Sequence, residues 1–110
     1  MIDGLYGVTF ESNVGGIGAG TVVVANGSVN GGDAGYCYQG GLTPAGDNVT
    51  STISVEKFNP QAQSIFGPMQ AFELELSGPT DDRSFTMTGH VVQQPQLQIT
   101  IRGRYIKPLV

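Results

Sequence analysis

The feature that most constrains this chain is an alternation of apolar and polar residues with a period of two, repeated along almost its whole length and interrupted only by turn residues. Such a period sends successive side chains to opposite faces of a strand, so each run has one dry face and one wet face. Three runs near the end are the clearest: Phe72, Leu74 and Leu76 oppose Glu73, Glu75 and Ser77; Phe85, Met87 and Val91 oppose Thr86, Thr88 and His90; Leu97, Ile99, Ile101 and Tyr105 oppose Gln98, Thr100, Arg102 and Arg104. Earlier, Gly4 to Ser12 places Tyr6, Val8 and Phe10 on one face, and a run from about Gly18 to Ala25 ends at Asn26 and Gly27, a pair suited to a two-residue hairpin turn. Ser28 to Asn30 reads as a short third strand and Gly31 to Asp33 as a turn. Gly35 to Leu42 is a fourth strand with Tyr36, Tyr38, Gly40 and Leu42 on one face. A turn at Pro44 to Asp47 leads into a fifth, with Val49, Ile53 and Val55 inward and Thr50, Thr52, Ser54 and Glu56 outward.

One long connection remains. It opens with Asn59 and Pro60, an N-cap followed by proline at the first helical position, and closes at Gly67 and Pro68. This predicts a short helix over 59–67 that presses Ile65 and Phe66 onto the sheet or across a barrel end. Eight one-sided strands with mostly tight turns point to an all-β fold, an antiparallel barrel of eight strands, closed or nearly so, because closure removes the edges that invite aggregation. A β-sandwich is the alternative. At 110 residues, without repeat, linker or low-complexity tail, the expectation is a single domain over 1–110.

Charge and cysteine content narrow the function classes. A net charge of −4 repels a phosphate backbone, which argues against direct nucleic-acid binding. No stretch approaches the roughly 20 apolar residues of a membrane helix, and the first residues lack a basic segment followed by an apolar run. The single cysteine, Cys37, excludes an internal disulfide and fits a reducing compartment, so a cytoplasmic protein is expected.

The stretch "VNGGDAGYCYQGG", Val29 to Gly41, raises the question of a phosphate cradle. Glycine loops that hold phosphate deliver the chain to a helix N-terminus, and this one runs into a strand. Curvature of the sheet is the better reading, with Gly40 and Gly41 making room for inward tyrosines.

Candidate chemistry is sparse. His90 lies on a polar face with no nucleophile or orienting acid near it in sequence, and Cys37 lies opposite two tyrosines with no charge to activate it. Asp81 and Asp82 follow Gly78 and Pro79 and read as a solvated turn, without the further ligands of a calcium loop. Arg102, Arg104 and Lys107 crowd the last strand, with Glu11, Glu73 and Glu75 as cross-strand partners. No enzyme, metal or cofactor is expected. The aromatic residues are more informative, because Tyr6, Phe10, Tyr36, Tyr38 and Tyr105, with Phe72 and Phe85, all point inward. An eight-stranded barrel is just wide enough to be filled by side chains or to hold one small ligand. For so short a chain a filled core comes first and a ligand cavity contacted by Tyr6, Phe10, Tyr36, Tyr38 and Tyr105 second.

The runs "DGLYGVTFESN", "GAGTVVVANGSVNGGDAGYCYQGGL" and "RYIKPLV" together resemble the GrlR-like family of type III secretion negative regulators, in order and over nearly the whole chain. The resemblance implies a lipocalin-like eight-stranded barrel that forms a homodimer and represses indirectly, by binding and sequestering a transcriptional activator. The family's contact is a loop of alternating glutamate and aspartate between the fourth and fifth strands. Here those positions are Pro44, Ala45, Gly46 and Asp47, which keep one acid of four. Two function classes follow: a regulatory protein-binding module, and a small-ligand carrier or sensor with the 59–70 segment as its lid.

Overall fold

A computed structural model describes residues 1–110 and shows a closed barrel of eight antiparallel strands. The strands are β1 (Gly4–Ser12), β2 (Ile17–Ala25), β3 (Ser28–Gly32), β4 (Tyr36–Ala45), β5 (Asn48–Lys57), β6 (Ala71–Pro79), β7 (Ser84–Val91) and β8 (Gln94–Lys107). Each pairs with its neighbour in sequence, and β8 returns to β1 from Leu5 opposite Lys107 to Ser12 opposite Ile99.

Tight turns enforce this meander. Asn26 and Gly27, with φ of 52° and 77°, form the two-residue turn that the sequence indicates between β2 and β3. The β4 to β5 connection is tighter than expected. Pro44 and Ala45 belong to β4, opposite Val49 and Asn48, and only Gly46 and Asp47 turn. Pro44 is tolerated because the Leu42 amide, two residues earlier on the same side of the strand, already reaches the last partner there, the Gly27 carbonyl. Gly31 and Gly32 are likewise strand residues, paired with Tyr38 and Cys37. The turn falls instead at Asp33 to Gly35, where Asp33 Oδ1 accepts the amides of Gly35 and Tyr36 at 2.8 and 2.9 Å.

The helix expected over 59–67 is absent. Asn59 Oδ1 accepts the Gln61 amide at 3.0 Å and the Asn59 carbonyl accepts from Ala62, which closes one turn. Ser64 and Gly67 exchange backbone hydrogen bonds at 3.0 Å, while Ser64 Oγ accepts the Phe66 amide, which closes a second. Asn and Ser side chains that satisfy nearby amides in this way compete with helical bonding, and Gly67 at φ 108° leaves the helical region altogether. Residues 58–70 therefore form an irregular strap across one barrel end.

The inward faces form one apolar cluster, with Val8, Val22, Ile53, Leu74, Met87 and Ile99 among its buried members. Ser51 is the one buried polar side chain, and its Oγ donates to the Gly41 carbonyl at 2.6 Å. The outward faces carry Glu11, Glu73, Glu75, Arg102 and Arg104, the reverse of a membrane barrel's apolar outer band. No helix is long and apolar enough to cross a membrane.

Gly40 and Gly41 separate two uses of glycine. A Cβ on Gly40 would run into the Thr52 carbonyl oxygen and the Ile53 side chain, so Gly40 admits the backbone of β5 and not a tyrosine. A Cβ on Gly41 would find only the Gly27 oxygen, at 3.8 Å. Gly40→Ala should lower stability by about 1–3 kcal/mol, as overpacking does, and Gly41→Ala should be neutral or stabilise by about 0.4–1 kcal/mol through the unfolded chain. Urea denaturation of the two variants checks the contrast.

Candidate functional site

The barrel is not filled. Its interior holds a cavity of about 540 Å³, and 24 of its 32 lining residues are hydrophobic. The reason lies in how the aromatic rings are distributed. Tyr6 is fully buried, donates to the Ile2 carbonyl at 2.6 Å, and packs against Tyr105 and Phe85 with ring centres 5.6 and 5.8 Å away, so these rings close the end near the chain termini. At the opposite end Phe10 meets Tyr38 edge-on at 6.2 Å, and Phe72 lies between Tyr36 and Phe66 at 6.5 and 5.7 Å. The waist between them is left to Val22, Val29, Ile53, Val55 and Leu74, which are too small to meet in the middle. Of the five aromatic residues predicted to contact a ligand, Phe10, Tyr36 and Tyr38 line the cavity; Tyr6 and Tyr105 do not.

The strap crosses the mouth and leaves it partly open. Ser12 Oγ donates to the Ile65 carbonyl and accepts the Gly16 amide, both at 3.0 Å, and Tyr36 donates its hydroxyl proton to the Met69 carbonyl at 2.6 Å. The amides of Phe58 and Asn59 both donate to the Gly35 carbonyl. Ile65 and Phe66 pack onto the core from this strap.

Polar groups gather at the mouth as well. Asp33, Asn59, Gln61, Gln63 and Ser64 all contribute to the lining, and they come from the β3 to β4 turn and the strap. The Tyr38 hydroxyl donates to Asp33 Oδ2 in a close hydrogen bond. Burial, then the hydrogen bond to Asp33 and its charge, push the Tyr38 phenol well above the ordinary tyrosine range. Burial also raises Tyr6 and Tyr36. Sequence reasoning missed the Asp33 to Tyr38 contact, because Asp33 looked like a generic turn residue.

The remaining candidates lie outside the barrel. His90 Nε2 is 3.4 Å from Glu75 Oε2, an acid that the sequence did not place beside it and that the register of β6 on β7 supplies. Arg102 pairs with Glu11 at 3.2 Å, as the cross-strand pattern indicates. Cys37 is half-buried on the outer face, with its thiol 3.7 Å from the Glu56 carbonyl. Asp81 is held below the usual carboxylate range by hydrogen bonds from the Arg83 amide and the Ser84 hydroxyl and amide, and it shapes the β6 to β7 turn. Pro44, Ala45, Gly46 and Asp47 are all exposed at the end away from the strap.

The family model described as T3SS negative regulator, GrlR matches residues 1–109. No curated protein matches the chain.

Because its folded-state pKa is raised, the contribution of Tyr38 to stability is fully present below pH 10, the ordinary value, and is lost as pH rises through the folded value. Tyr38→Phe should therefore lose less stability than the parent above pH 10. Denaturation midpoints at matched pH check this.

Proposed function

The chain belongs to the GrlR family of type III secretion system negative regulators, and on that premise we propose that it is a non-enzymatic cytoplasmic repressor that sequesters a transcriptional activator. The match over residues 1–109 carries this reading. The barrel, lipocalin-like in its single up-and-down circuit, serves as a rigid platform for protein contact.

An acidic contact loop cannot work here as it does in the family. The Gly46 and Asp47 turn offers one carboxylate, too little charge to attract a basic partner surface. The activator is held instead by apolar side chains at the strap end: Val14, Ile17 and Phe58 are 57%, 80% and 61% exposed. Self-association uses a different surface, the outer faces of β1, β2 and β8, where Leu5 is paired with Val23 and Lys107 and exposed Ile106 adjoins Gly7.

Expression of the protein should lower transcription from a type III secretion promoter driven by its activator, and Ile17→Glu combined with Phe58→Glu should abolish the effect while leaving the far-ultraviolet circular dichroism intact. Unchanged promoter activity on expressing the parent chain would overturn the regulatory reading. Sedimentation of Ile106→Glu beside the parent tests the dimer, which should become monomer.

A further inference from the structure

We propose that the cavity is a binding site for a small amphiphile with an apolar body and a hydrogen-bond-donating head, an amine or a hydroxyl, and that it rejects carboxylates. This goes beyond the regulatory reading and does not depend on it. A volume of about 540 Å³ falls within the roughly 300–1,000 Å³ of small-molecule sites. Its walls are mostly apolar: apart from Ser51, whose hydroxyl donates to the Gly41 carbonyl, the polar lining side chains come from the β3 to β4 turn, β4 and the strap. A bound molecule therefore places its apolar body at the waist and its head at Asp33.

Charge decides the head group. No Lys, Arg or His side chain lines the cavity, and Asp33 is the one acid that does. Met1 also lines the cavity, but toward the opposite end, where its amino group lies close enough to Asp81 to help lower its pKa. A carboxylate drawn inside would lose its hydration without gaining a cation, and it would face Asp33. A donor finds the converse. The Asp33 carboxylate has about four acceptor positions; the Gly35 and Tyr36 amides and the Tyr38 hydroxyl occupy three. One position remains for the ligand. The turn and the Tyr38 bond fix the carboxylate in advance, so little ordering is needed on binding.

The test is displacement of the uncharged fluorophore N-phenyl-1-naphthylamine from the full chain by three ten-carbon competitors that differ only in their heads: decanol, decylamine and decanoate. Decanol and decylamine should displace it at roughly tenfold lower concentration than decanoate, the size of one unpaired or repelled charge near the mouth. Asp33→Asn should narrow that ratio. If this variant fails to fold, the head-group series on the parent chain still decides. A bulky substitution at the waist, Val55→Phe, should remove fluorophore binding while the exposed Val14 and Phe58, which do not line the cavity, remain, which places the site inside. Equal or tighter competition by decanoate would overturn the proposal, and so would fluorophore binding that survives in a folded Val55→Phe variant.

Discussion

The pairing of β8 with β1 is the interaction on which the structure depends. It joins residues near opposite ends of the chain and converts a strip of hairpins into a ring without free edges. Each hairpin is local and fixed by its turn; closure is not. It requires strands curved tightly enough to meet, and the curvature comes from positions where a neighbouring backbone or ring occupies the space of a side chain. Gly40 lies against the Thr52 carbonyl, and Gly103 lies under the Phe85 ring. The glycine-rich stretch therefore belongs to the architecture of the barrel and not to phosphate chemistry.

Closure also determines what the inside can be. Eight strands enclose a space that side chains fill only if they are large at every level. Here the large rings pair with one another at the two ends, and the middle is assigned to valine, isoleucine and leucine. The outcome is a hollow waist under a strap, with Asp33 and Tyr38 joined at its mouth.

Much of the fold was legible in the sequence because a period of two is a direct image of inside and outside. Tyr6, Val8, Leu74, Met87 and Ile99 were assigned inward from alternation, and all five are in the core or packed on it. Two departures arose where side chains bond to nearby backbone. Asn59 and Ser64 replaced the helix with two turns, and Asp33 moved the β3 to β4 turn past the two glycines. The His90 to Glu75 pair and the Asp33 to Tyr38 bond depend on strand register and on the direction of a turn, which residue patterns do not encode. The cavity was the least legible feature. Whether inward aromatic residues fill a barrel or line it depends on the height at which each enters, and alternation gives the face but not the neighbour across the barrel.

The barrel is closed yet hollow at the waist. A crystal structure of the chain under xenon pressure tests this most directly, since xenon occupies apolar cavities without requiring any head-group chemistry. Xenon density inside the ring, among Val22, Ile53, Val55 and Leu74, is the predicted result. A waist in which these side chains meet, with no interior xenon, would contradict it.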